Sequence, residues 1–223
     1  MSKLVRLNLA MRQPEDVIPH LGKPIHWKEG RSAKSLADSW FAANDLPPPV
    51  RTILDQAAEY QGATLVDAFL ERCTSLEDGR ATPSQTDLLA ILSMRDGLAV
   101  MGVEAKVTET FGPFVHEWLD GGDGKAQRLT GLCALLGLDR QASLNLRYQL
   151  LHRTAAAMLE ARRYRTPWAL MLVQSFCPDN TGFADFASFV KALGYPEPAI
   201  GKISSSREIS DFELRLGWVN AAP

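Results

Sequence analysis

The chain has 223 residues, 46% of them hydrophobic, and a formal net charge of -2. That is enough apolar material for one substantial core, and it excludes a protein that is basic over its whole surface but leaves a local basic patch open. Three widely spaced cysteines without a CxxC pair, and four histidines without an HExxH spacing, exclude a disulfide framework and the common zinc sites.

Each cysteine sits beside Leu, Ala or Phe, which predicts buried, inert thiols. Polar residues interrupt MSKLVRLNLAMRQPEDV before a signal-peptide core can form, and no run approaches the ~18 apolar residues of a membrane span. A cytoplasmic protein without a membrane partner is the expectation.

In chain order, residues 4–9 read as a short strand, followed by a segment punctuated by Pro and Gly. Ser32 reads as an N-cap, and Ala33, Leu36, Ala37, Trp40 and Phe41 then recur at helical spacing. Pro47-Pro48-Pro49 ends that helix, and Val50, Ile53, Leu54, Ala57 and Ala58 mark a second one, broken by Gly62. Leu65, Val66, Phe69 and Leu70 predict a third helix over residues 63–76.

The stretch SQTDLLAILSMRDGLAVMGVEAKV reads differently. Aliphatic runs at 87–93 and 98–107 flank Met94-Arg95-Asp96-Gly97, and the Asp-Gly pair favours a hairpin turn. Apolar residues occupy both alternating faces, which implies a sheet covered by helices on both sides. Helices follow at 114–119, 125–136 and 142–163, with a flexible Gly-rich tip at 121–124 between the first two. That tip lacks the Gly-Lys-Ser/Thr ending of a nucleotide loop. WALMLVQSF at 168–176 reads as a further central strand, Phe183, Phe186, Phe189 and Val190 as a helix, and 212–219 as a last strand. The order predicts a three-layer α/β fold with a central mixed sheet.

Register decides whether the hairpin's charged residues meet. If Ser93 pairs with Leu98, Asp87 lies opposite Glu104; if Arg95 pairs with Leu98, Asp87 faces Lys106 with Glu104 diagonal to it. Both registers put Asp87, Glu104 and Lys106 on one face. Adjacent carboxylates repel unless they share a cation, and hard oxygen donors suit Mg²⁺ or Mn²⁺. Such an ion can acidify water and neutralise phosphate oxygens, with Lys106 beside that water. The plain alternative is an ordinary ion pair at a strand end.

This segment resembles the PD-(D/E)XK, or restriction-endonuclease-like, superfamily. The matching elements are Pro83…Asp87 before the hairpin, Glu104-Ala105-Lys106 on its second strand, and a helix and strand after it. Val103-Glu104-Ala105-Lys106-Val107 and Phe111-Gly112 extend the likeness to uncharacterised bacterial domains of that superfamily, over about residues 30–195. Residues 1–29 are then an N-terminal segment and 196–223 a strand extension of a single domain. The resemblance implies that Asp87 and Glu104 hold Mg²⁺ and that Lys106 is the catalytic lysine. It also implies a helical Glu before the hairpin, for which Glu59 and Glu71 both qualify and Glu71 lies on the better-placed helix. A Gln-x-x-x-Tyr motif is matched only by Gln149, with Arg153 in place of the Tyr.

Residues 125–165 carry a net charge of +6 and residues 53–78 a net charge of -5. Arg147, Arg153, Arg162, Arg163 and Arg165 are the candidate contacts to a nucleic-acid backbone, and helix solubility is the plainer reason for them. The five tryptophans read as core or interface area rather than base-stacking platforms. Two functions compete: a metal-dependent nuclease acting on DNA, and a nuclease-like module that binds nucleic acid or protein without catalysis. Action on both strands of a duplex calls for a homodimer. A metabolic enzyme has no motif in its favour.

Overall fold

The computed structural model describes residues 10–21, 27–77, 82–119 and 121–222. The strand read at 4–9 lies outside them. A seven-stranded mixed sheet forms the centre, in the order β1-β2-β3-β4-β7-β5, with β6 also paired to β7. The strands are β1 (Thr64–Thr74), β2 (Ser84–Met94), β3 (Gly97–Lys106), β4 (Trp168–Ser175), β5 (Lys202–Ile203), β6 (Arg207–Ile209) and β7 (Phe212–Asn220). β1, β2 and β3 run antiparallel in turn, whereas β3, β4 and β7 are mutually parallel.

Helices cover both faces. α1 (Ser32–Ala43) and α2 (Pro48–Leu54) pack Leu36, Trp40, Val50 and Ile53 onto Leu88, Ala90, Leu92, Met101 and Leu172. On the other face, α4 (Asp123–Leu136), α6 (Tyr148–Arg163) and α7 (Phe183–Ala192) pack Leu129, Leu151, Ala155 and Phe186 onto Leu89, Ile91, Val100 and Met171. Short helices α3 (Val115–Trp118) and α5 (Arg140–Ser143) and 3-10 turns at Pro14–His20 and Ala58–Tyr60 are also present among the described residues. This is the three-layer α/β arrangement that doubly apolar strands require. Trp218 is fully buried and Trp40 nearly so, as core residues.

α6 lies close to the sheet because small residues meet there. A Cβ placed on Gly102 would stand 3.2 Å from Ala157 Cβ. A buried ion pair ties the same helix to the sheet edge: Arg72 of β1 donates to Glu160 at 3.2 and 3.1 Å, and Thr74 Oγ1 adds a bond of 2.8 Å.

Four expectations change. Residues 64–74 form the edge strand β1, not a helix, because the ladder to β2 satisfies their backbone. A bulge between Leu65 and Asp67 disturbs the alternation that would have marked a strand in sequence. Cys73 is exposed for the same reason: it lies on an edge. The helix read at 142–163 is broken, since residues 144–147 instead bond Phe114 and the first turn of α3, Val115 N–H donating to Leu146 O at 2.9 Å. Ser32 is the first helical residue rather than the cap.

A branched side chain at Gly102 would force α6 off the sheet. Gly102→Val is expected to cost about 1–3 kcal/mol, measured as a lowered urea midpoint with an unchanged slope.

Candidate functional site

The β2–β3 register is the one pairing Ser93 with Leu98, tightened so that Met94 pairs with Gly97 around Arg95 and Asp96. Regular pairing ends at Leu88 and Val103. The next residues across the ladder are Asp87 and Glu104. There the strands separate, and the Asp87 carboxylate fills the gap: its Oδ2 accepts the Ala105 N–H at 2.9 Å.

On the other side of β2, Leu70 pairs with Leu88 and Arg72 with Thr86, which places Glu71 across from Asp87. Glu71 has a left-handed backbone, φ 54°. Both strands change face at this point. Leu89 and Ile91 face α6 whereas Leu88 and Ala90 face α1 and α2. Beyond Asp87 the even residues face α6 instead: Ser84 Oγ meets His152 Nδ1 at 2.9 Å and accepts from Arg153 at 3.1 Å. On β1, Phe69 packs on the α6 side, and past Glu71 it is Arg72 and Thr74 that reach that helix.

The centre of the site is Glu104, only 2% exposed. Its two oxygens are answered by two cations, Lys106 Nζ at 2.7 Å and Arg153 Nε at 2.6 Å. Lys106 also donates to Gln149 Oε1 at 3.0 Å and lies 4.8 Å over the Phe111 ring. Arg153 Nη2 is 3.8 Å from Asp87 Oδ1, so one guanidinium faces both carboxylates. Gln85 Nε2 donates to Glu71 Oε2 at 2.7 Å.

Three carboxylates thus face two cations. Burial raises the Glu104 carboxyl, but Lys106 and Arg153 outweigh it and hold that group below the usual range. Burial and then the Glu104 charge push Asp87 up. Burial and the Asp87 charge likewise raise Glu71 to about 7. His152 is pushed down to about 3 by burial and by Arg153, so its imidazole is neutral.

Two adjoining cavities, of about 300 and 430 Å³, open onto this cluster and share Ser32, Asp87, Glu109 and Arg153 in their walls. The first extends to Glu71 and Gln85, the second to Lys106, Tyr148, Gln149 and His152. Asp87, Glu104, Lys106, Gln149 and Glu71 are therefore brought together. Glu71 arrives from an edge strand, not from a helix. Glu59 is elsewhere, bonded to Arg215 at 2.6 Å.

The basic residues divide. Arg153 is 9% exposed and committed to Glu104, so it is an internal cation rather than a surface contact. Arg147 pairs with Asp185 at 2.9 Å and stacks 3.7 Å over Phe114. Arg162 pairs with Glu77, and Arg162, Arg163 and Arg165 are exposed at the far end of α6. Arg163 is ten residues beyond Arg153, about 15 Å along a helix.

Sequence reasoning missed three features. The Ser84–His152 contact joins positions 68 residues apart and had no local signal. Arg153 as partner of Glu104 was half visible in its spacing from Gln149. Glu109 caps α1 from another part of the chain: its Oε1 accepts from Ser32 N–H at 3.4 Å and Oγ at 3.3 Å. Burial opposes ionisation of Glu109, but backbone N–H groups led by that of Val107 hold it below its usual range.

Among the described residues no three His, Cys, Asp or Glu side chains converge to hold a metal ion. Asp87 and Glu104 are instead two hard oxygen donors, as many as Mg²⁺ commonly takes from protein while keeping several waters. No helix among those residues is long and apolar enough to cross a membrane.

Residues 10–223 match the family described as a domain of unknown function, DUF6946, and the chain belongs to that family. No curated protein and no solved structure matches it.

The raised Glu71 has a thermodynamic consequence. Its folded value of about 7 exceeds its ordinary 4.5, so the folded chain binds more protons across that window and its stability falls as pH rises through it. The depressed Glu104 acts oppositely, its contribution being lost as pH falls below 4.5. In metal-free buffer, Glu71→Gln is expected to gain about 1 kcal/mol over the parent above pH 7, a figure discounted for partial exposure. The gain should vanish near pH 4.5, as urea midpoints at both pH values would show.

Proposed function

We propose that this family member is a divalent-metal-dependent phosphodiester hydrolase that acts on DNA. The observation that carries the reading is the buried Glu104–Lys106 pair, braced by Gln149 and set beside Asp87 in the wall of an open cavity. Asp87 and Glu104 would hold Mg²⁺ or Mn²⁺. The donor set fits: it is all oxygen, carboxylates outnumber cations, and burial raises Asp87 and Glu71 in the absence of further positive charge. The ion, when bound, supplies an acidified water and neutralises charge on phosphate oxygens.

The chain's own groups do the rest. Lys106 spends two of its three N–H donors on Glu104 and Gln149, which leaves one for a water or phosphate oxygen in the cavity it lines. Gln149 fixes the ammonium against rotation, so the donor is preorganised where charge develops. Neutral His152 adds bulk without a charge that would compete for phosphate.

A binding module without catalysis is the second reading. Its support is that both Glu104 oxygens are committed to cations within the chain.

Incubation with plasmid and with linear single- and double-stranded DNA in Mg²⁺ or Mn²⁺ separates the two. Glu104→Gln and Lys106→Met keep side-chain volume, but each removes one member of a buried ion pair, so thermal unfolding first checks that each variant folds. Each is expected to slow cutting by about 10²- to 10³-fold. Cutting that survives both would sink the site assignment. Intact DNA together with salt-sensitive binding would establish the module.

A further inference from the structure

Arg153 does more than neutralise Glu104. Its guanidinium reaches Glu104 Oε2 at 2.6 Å and Ser84 Oγ at 3.1 Å, and its remaining end faces Asp87 Oδ1 at 3.8 Å. It lies in the wall shared by both cavities. It is also rigidly presented. Gln149, one turn earlier on α6, is bonded to Lys106, and His152 shares the Ser84 hydroxyl with it. A fixed positive charge therefore stands between the same two carboxylates that a divalent cation would use.

We propose that Arg153 is a built-in competitor of the metal, a positioning residue that lowers the affinity of the Asp87–Glu104 site for free divalent ions. The inference rests on the hydrolase reading above, and it concerns how that site is regulated. An ion binding Glu104 at Oε2 must displace a short, charge-assisted hydrogen bond formed in a place nearly closed to water. Without the guanidinium, Asp87 and Glu104 would face Lys106 as their remaining close cation, and a divalent ion would meet the deficit. The second oxygen of Glu104 stays with Lys106 in either state, so the carboxylate need not rotate to exchange partners.

The test is Mn²⁺ binding, followed through the spectrum of the free ion, in the wild-type chain, Arg153→Gln and Arg153→Lys. Arg153→Gln is expected to bind Mn²⁺ about tenfold more tightly than wild type, and Arg153→Lys to fall between them. Thermal unfolding gives a second readout: Mn²⁺ should raise the melting temperature of Arg153→Gln more than that of wild type. Equal Mn²⁺ affinity in wild type and Arg153→Gln overturns the competitor while leaving the hydrolase reading standing. No Mn²⁺ binding by either protein overturns both.

Should Arg153→Gln fail to fold, the wild-type chain decides by NMR. Mg²⁺ should shift the Arg153 Nε–H signal and speed its exchange with water. A static Arg153 signal while the Asp87 and Glu104 carboxyl resonances move would overturn the proposal.

Discussion

The Glu104 carboxylate, buried in the sheet beneath α6, is the constraint from which much of the architecture follows. An isolated carboxylate in such a place is untenable, and removing one member of a buried pair typically costs about 3–5 kcal/mol. Two cations answer it, Lys106 from its own strand and Arg153 from the helix above. The second of these obliges α6 to lie directly over β3. Gly102 and Ala157 let the backbones come close enough for the guanidinium to reach. At the sheet edge the arrangement recurs with charges exchanged: β1 supplies Arg72 and α6 supplies Glu160. Helix and sheet are thus held in register by paired charges as well as by apolar packing.

The second organising feature is the change of face in β1 and β2. Ladder bonds between β2 and β3 stop after Leu88, and the Ala105 N–H is satisfied by the Asp87 side chain instead. A carboxylate is thereby drawn into the gap between separating strands. Glu71, at φ 54°, makes the matching turn on β1. A non-glycine residue in that conformation costs of order 1 kcal/mol or more, and such strain gathers at functional sites. Raised carboxyl values at Glu71 and Asp87 are the electrostatic counterpart of the same crowding. In the proposed hydrolase, this is what makes the site receptive to a cation.

Legibility followed the range of the interactions. The hairpin was readable because its strands are local, its turn residues are diagnostic, and pairing arithmetic needs no knowledge of the rest of the fold. The same arithmetic brought Asp87 and Glu104 together whichever even turn formed. β1 was misread because its apolar residues fit a helix as well as a bulged strand. What decides between them is a partner strand ten or more residues away. The break before α6 was hidden for a similar reason, since residues 144–147 turn aside to bond the segment around Pro113 and Val115. The arginines of α6 looked alike in sequence, yet Arg153 lies inside and Arg163 outside.

By itself, then, the sequence determined the doubly covered sheet, the hairpin register to within one choice, and the carboxylate–lysine cluster, because each depends on alternation and adjacency along a few residues. Tertiary structure alone decided that Glu71 comes from an edge strand and that Glu59 belongs elsewhere. It also decided that Arg153 is the cation between Asp87 and Glu104. Those outcomes depend on which charges are buried together. Burial and pairing of charge are set by contacts between distant segments, where the desolvation cost of each group is met only by a partner the local sequence does not name.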